Sequence, residues 1–248
     1  MKIVFPEIED ATIQAAIQAC PEIEAVPAAS LEDGASLVAR GEVDGMIAGI
    51  DHTTRDVVVA CRDIIGSNYK YFSSCFVMTR GKEKFILADA GVCKKPDVEM
   101  LYSVVLQTYV TAARILKTEP KIAMLSFSTF GSGRDDSIDL IREVIARVRE
   151  NHPEIIIDGE MQLDVAVDKT VAKKKAPESV VAGEANVLIC PDLNCGNVLY
   201  KGLERLGGWT AAGPILQGFK TPLLSDLSRG STVDDVINVI KILKELGE

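Results

Sequence analysis

The chain has 248 residues, 47% hydrophobic and 25% charged, enough to bury a sizeable core in one large domain or two modest ones. That composition excludes a disordered tail, and 5% aromatic content with abundant Val, Ile, Leu and Ala favours α/β layers over a β-sandwich. A net charge of -9, from 27 Lys and Arg against 36 Asp and Glu, speaks against nucleic-acid binding; an anionic ligand would need local cations or helix N-termini.

Lys2–Phe5 predicts a short strand, Ala11–Cys20 a helix, Leu31–Arg40 a short helix ending near Gly41, and Val43–Ile50 a buried strand. Phe72–Thr79 and Lys84–Ala88 read as a hairpin around Arg80-Gly81-Lys82. Pro96-Asp97 opens a long helix over Val98–Leu116, because proline's missing N–H has no partner in a first turn anyway. Ile122–Ser126 is a buried strand, and Asp136–Arg149 a helix with Ile138, Ile141, Ile145 and Val148 on one stripe. Ile155–Ile157 and Val187–Cys190 are further buried strands. The last helix covers Val233–Leu246, with Val233, Val236, Ile237, Ile240 and Leu243 inward. Strands alternating with helices imply βαβ units and a mostly parallel sheet. The brief Lys173-Lys174-Lys175 run reads as a solvated helix end or loop.

The first apolar run stops at Pro6, too short for a secretory signal, and no stretch approaches the ~18 apolar residues of a membrane helix. The expectation is a cytoplasmic protein without membrane contact. The six cysteines, at 20, 61, 75, 93, 190 and 195, contain no CxxC and read as free thiols, most simply small core residues in a reducing compartment. Two histidines, His52 and His152, are too few for a His-rich metal site, and no metal is expected.

Open α/β sheets bind ligands at the carboxyl ends of strands. Three segments there carry suitable side chains. Ser126–Arg134 combines hydroxyls, flexible backbone N–H groups and an arginine that could cradle an anion; a plain capped turn is the alternative, and GxxxxGK[ST] is absent. Pro191–Asn197 reads as a loop whose Asp, Asn and Gly could equally serve turn geometry alone. Ser225–Asp235 places an arginine, hydroxyls and carboxylates at the mouth of the last helix. There Thr232 with Asp235, or Ser231 with Asp234, also has capping-box spacing.

Motifs in these segments resemble the phosphate acetyltransferase (phosphotransacetylase) family, which includes phosphate butyryltransferases. They are Asp192-Leu193-Asn194-Cys195-Gly196-Asn197 with Tyr200-Lys201, Gly213-Pro214-Ile215-Leu216-Gln217-Gly218, and Asp226-Leu227-Ser228-Arg229-Gly230. Further matches are Phe5-Pro6-Glu7 with Glu9-Asp10, His52-Thr53-Thr54 with Asp56, Ser126-Phe127-Ser128-Thr129 with Gly131-Ser132, Asp158-Gly159-Glu160 with Gln162 and Asp164, Lys175-Ala176-Pro177, and Val181-Ala182-Gly183.

The resemblance implies two α/β domains with mostly parallel sheets and a cleft between them, isocitrate/isopropylmalate dehydrogenase-like. One is drawn from residues 1–68 and 215–248, a shortened terminal domain, and the other from 69–214. It implies an acyltransferase moving an acetyl or short acyl group reversibly between coenzyme A and inorganic phosphate. Coenzyme A is then a substrate, acetyl phosphate the acyl donor, no separate cofactor is needed, and the assembly is a homodimer. By resemblance, Arg229 engages the phosphate, Asp235 is the base for the CoA thiol and Ser228 orients the reacting groups. Ser128, Thr129, Gly131 and Ser132 form the acyl-phosphate pocket, and Asn194, Asn197 and Lys201 belong to the substrate-binding set.

The chain departs from the family pattern in places. The stretch between the first helix and Gly41 is shorter and omits a family arginine. Val59 stands where the HTTxDTxR pattern has another arginine, and on a helix neither Arg55 nor Arg62 is expected to project as residue 59 does, nor would a strand bring Arg62 onto that face. Ser225 replaces an asparagine, and Ile8 a glycine. These departures leave an alternative: a homologue that binds acyl phosphate or CoA as a sensor. A dehydrogenase on the related fold would be a third reading, but no GxGxxG supports it.

Overall fold

A computed structural model describes all 248 residues. The chain opens with β1 (Lys2–Phe5), in which Ile3, Val4 and Phe5 are fully buried. Asp10 then caps α1 (Ala11–Ala19) by accepting from the Thr12 and Ile13 amides. β2 (Glu24–Pro27) lies parallel to β1 at the sheet edge, and none of its residues is fully buried, so it carries no hydrophobic signature. Ser30 caps α2 (Leu31–Ala39), which leads to the wholly buried β3 (Gly45–Ala48), parallel to β1. A reciprocal cap between Thr53 and Asp56 starts α3 (Thr54–Ala60), a helix not expected from the sequence, which passes into a π-helical turn at Cys61–Ile65.

The expected hairpin is β4 (Ser73–Arg80) and β5 (Glu83–Ala88). Asp97 caps α4 (Val98–Ile115), followed by β6 (Lys121–Leu125) and α5 (Asp136–Asn151), whose stripe of Ile138, Ile141, Ile145 and Val148 is buried as its 3.6-residue spacing requires. Next come β7 (Ile156–Met161), α6 (Leu163–Val167), α7 (Lys169–Lys175), β8 (Val187–Ile189) and α8 (Leu193–Gly207). The three lysines form the last turn of α7, where cations complement the helix dipole. Strand order here is β4-β5-β8-β6-β7, parallel from β5 onward.

β9 (Thr210–Gln217), β10 (Leu224–Asp226) and α9 (Val233–Gly247) complete the chain. β10 pairs parallel with β3 and antiparallel with β9, giving the order β2-β1-β3-β10-β9. The chain therefore separates into two compact α/β units, Met1–Phe72 with Ala211–Glu248, and Ser73–Thr210, against expected divisions after residues 68 and 214. Each has a mostly parallel sheet. Along α9, Val236, Ile240 and Leu243 are buried as expected, whereas Val233 and Ile237 are half-buried.

Two segments read as loops are regular structure. Pro191–Asn197 is a loop only to Asp192, which caps α8 by accepting from the Cys195 amide. Gly196 sits in the first turn because α8 presses on the loop after β5: a Cβ there would fall 2.1 Å from the Asp89 carbonyl oxygen. Ser225 and Asp226 belong to β10, where the Ser225 hydroxyl donates to the Pro214 carbonyl at 2.8 Å and ties β10 to β9.

Candidate active site

In the unit formed by the two ends of the chain, β1, β3 and β10 run parallel in register, with Val4 beside Met46 and Ala48 beside Asp226. Their carboxyl ends stop together, so Glu7, Gly49–Thr54 and Leu227–Asp235 leave one edge of the sheet. The loops after β3 and β10 touch. Gly49 has φ +107, and a Cβ on it would fall 2.3 Å from Asp226 Oδ1 and 2.7 Å from the Leu227 carbonyl oxygen, so only glycine fits.

Glu7 is buried at this edge. Its carboxylate accepts from the Gly49 amide at 2.9 Å and the Asp51 amide at 3.0 Å, and lies 2.6 Å from His52 Nδ1. Asp226, 1% exposed, is pushed up to about 6 by burial; a hydrogen bond with Thr54 opposes the rise and the charge of Glu7 adds to it. Asp226 Oδ1 has no hydrogen-bond partner.

After β10 the chain makes a tight turn. The Ser231 amide donates to the Ser228 carbonyl at 2.9 Å, the Ser228 amide donates to Ser231 Oγ, and the Gly230 amide to Ser228 Oγ. Arg229 stands at the corner of that turn, exposed, with no ion-pair partner. Thr232 then caps α9. Asp235 completes the capping box, its Oδ2 accepting from the Thr232 amide at 2.8 Å. One strand–turn–helix unit thus carries Ser228, Arg229 and Asp235. Asp235 is both a cap and a candidate base, with Oδ1 left outside the capping bond.

α3 corrects one expectation. Because Thr54–Ala60 is helical, Arg55 lies one turn before Val59 on the same face, where four residues bring side chains together. A guanidinium therefore does share that face. Arg62 does not, lying in the π-helical turn and paired with Asp63 at 2.7 Å.

In the other unit, the Ser126–Arg134 segment leaves the carboxyl end of β6 and leads into α5. The structure turns Ser128 inward: it is fully buried, and its Oγ donates to Glu160, lies 3.3 Å from Ser132 Oγ and accepts from the Gly133 amide. Thr129 is also buried, with its Oγ1 accepting from the Gln162 amide, while Gly131 and Ser132 are exposed at the loop tip. The group that organises the loop is Glu160. It accepts from the Gly131 amide at 2.8 Å and from Arg142 Nε at 2.8 Å. Burial pushes its carboxyl up, but Arg142, Gly131 and Ser128 together outweigh burial and hold it below the usual range. The sequence motif contained Glu160, but nothing signalled Arg142, on α5, as its partner.

Asn194, Asn197 and Lys201 fall three and four residues apart and form one polar stripe down the start of α8. Asn194 and Lys201 are exposed, with Lys201 Nζ lying 5.1 Å from the Tyr200 ring centre. A cavity of about 480 Å³ opens at the same edge, between Lys95 after β5, Phe127 after β6, Ser137 on α5 and Asp192 before α8.

These features can be set beside known proteins. The sequence profile described as phosphate acetyl/butaryl transferase matches residues 22–243. Phosphate acetyltransferase from Bacillus subtilis (strain 168) is 40% identical over 84% of this chain and 65% of its own length. That from Clostridium acetobutylicum is 42% identical over 82% of this chain and 63% of its own, so this chain spans just under two thirds of both relatives. The crystal structure of a phosphotransacetylase from Streptococcus pyogenes superposes with a TM-score of 0.87 at 32% identity, covering 100% of this chain and 94% of that one. With a profile that spans most of its length and relatives at this identity, the chain belongs to the phosphate acetyl/butaryl transferase family.

Proposed function

We propose that this chain moves an acetyl or other short acyl group reversibly between coenzyme A and inorganic phosphate, with Arg229, Asp235 and Ser228 carrying the reaction. The observation behind this reading is the unpaired Arg229 guanidinium held at the corner of a hydrogen-bonded turn, with the Asp235 carboxylate on the helix that follows.

Only a thiolate attacks well, and a free thiol has a pKa near ~8.5. Asp235 takes the thiol proton, a step worth about 10²–10⁴-fold. Arg229 meets the negative charge that develops on the attacked carbonyl and on the phosphate, where charge-assisted hydrogen bonds are strongest. Arg55, brought by α3 onto the face of Val59, supplies a cation near the position of the absent family arginine. Gly131 and Ser132 offer the exposed tip of the loop that Glu160 fixes, and Asn194, Asn197 and Lys201 form the polar stripe on α8. Ser128 and Thr129 shape that loop from within.

The protein acts as a cytoplasmic homodimer in this reading. Its six free thiols suit a reducing compartment, and no helix is long and apolar enough to cross a membrane. α8 leaves Val198 and Leu206 exposed. Calorimetry with CoA and with acetyl phosphate, beside a turnover assay, separates the enzyme from a sensor: binding of both with turnover supports the enzyme, and binding without turnover supports the sensor.

A further inference from the structure

Transfer from acetyl phosphate to CoA moves two protons. The thiol loses one as sulfur bonds to the acyl carbon. The phosphate oxygen must gain one as its bond to that carbon breaks, or it departs with an extra negative charge. Asp235 accounts for the first proton and nothing yet accounts for the second.

The sheet edge that holds Arg229 also holds a carboxylate–imidazole pair. Glu7 is nearly sealed from solvent, its side chain 5% exposed, and is fixed by two backbone amides, so its carboxylate has little freedom. It lies 2.6 Å from His52 Nδ1, which keeps a proton on that nitrogen and turns Nε2 away from it. The His52 side chain is 38% exposed, so Nε2 can be reached from outside. His52 follows β3 and Arg229 follows β10, and these strands are parallel neighbours whose exit loops touch at Gly49 and Leu227. Carboxylates near the imidazole are Glu7 after β1, Glu32 on α2 and Asp56 on α3, and the Arg55 guanidinium acts on the same Asp56.

We propose that His52, positioned by Glu7, is the acid of this site, with its Nε2–H meeting the phosphoryl group and protonating the oxygen that leaves the acyl carbon. In the forward direction the thiol proton goes to Asp235, the carbon–sulfur bond forms, the carbon–oxygen bond breaks, and hydrogen phosphate departs with the His52 proton. Solvent then takes the proton from Asp235 and returns one to His52. In reverse, neutral His52 takes the proton from hydrogen phosphate as it attacks the thioester. This role rests on the acyl-transfer reading.

The chain has two histidines, so a proton–nitrogen spectrum of the imidazoles of the ¹⁵N-labelled full chain, assigned with His152→Gln, reads His52 directly. Added inorganic phosphate is expected to move the His52 Nε2 resonance and leave that of His152 in place. Rates with acetyl phosphate and CoA are measured in parallel. His52→Gln is expected to lower kcat by about 10²–10⁴-fold and to remove one limb of the pH–rate profile. Its KM for acetyl phosphate should change by less than about threefold. Glu7→Gln, whose amide oxygen still accepts from the backbone, is expected to shift that limb and cost less. A His52→Gln enzyme with the wild-type pH profile, a loss confined to KM, or a His52 resonance that phosphate leaves unmoved overturns the role while acyl transfer stands. A wild-type chain that binds but never turns over overturns both.

Discussion

Asp226→Asn tests how the buried edge of the terminal unit is held. Asp226 is 1% exposed, one of its oxygens has no partner, and burial pushes its carboxyl from an ordinary 3.8 to about 6. Its folded state therefore binds the proton more tightly than its unfolded state. The stability this contributes is complete below about pH 4 and is lost as pH rises through about 6. At about 1.36 kcal/mol for each tenfold change in the proton equilibrium, the loss is about 3 kcal/mol above pH 7. Asparagine has nearly the shape of the protonated acid and does not titrate. Urea unfolding of both proteins across this range should show the stability difference between Asp226→Asn and wild type moving in favour of the variant by about 3 kcal/mol from acid to neutral pH. A difference that stays constant with pH, or moves the other way, refutes the burial of a carboxylate with one unpartnered oxygen at the end of β10.

Arg229→Gln and Asp235→Asn should each lower kcat by at least about 10²-fold with thermal unfolding little changed, since Arg229 is unpaired and an asparagine at 235 can still accept from the Thr232 amide. Either variant with near-normal kcat removes that residue from the mechanism. Glu160→Gln should destabilise by about 1–3 kcal/mol in chemical unfolding, because one carboxylate holds Arg142, Ser128 and Gly131. The carboxyl sits below its ordinary range, so its contribution is present at neutral pH and lost as pH falls through its folded value; equal wild-type and variant stability at pH 7 contradicts this. Gly196→Ala should cost about 1–3 kcal/mol by pushing α8 off the loop after β5, and an unchanged melting temperature would contradict that contact.

Periodicity made the long elements legible. α5 announces itself through four aliphatics on one stripe, and the hairpin through its Gly81 turn. Elements that escaped detection lack such a pattern for physical reasons. β2 is an edge strand with no fully buried residue, and β10 is three residues long and carries a serine and an aspartate into the core. α8 reads as a loop because its first turns hold Asn, Cys and Gly, the last demanded by a close backbone approach and not by helix propensity. α3 is hidden behind its capping residues, and its helix brings Arg55 onto the face of Val59, against the expectation that Arg55 would not share it.

The motifs located the candidate residues, but burial sorts them. Arg229 reaches solvent, Ser128 does not, and Asp235 holds the capping role that its spacing with Thr232 anticipated. Glu160 with Arg142, and Glu7 with His52, are pairings 18 and 45 residues apart in sequence, which no local pattern could reveal.

The central claim is tested most directly by following thioester formation from acetyl phosphate and CoA with the purified, folded chain. The account predicts turnover that Arg229→Gln removes. Absence of turnover with acetyl, propionyl and butyryl phosphates, by protein that unfolds cooperatively, would contradict it.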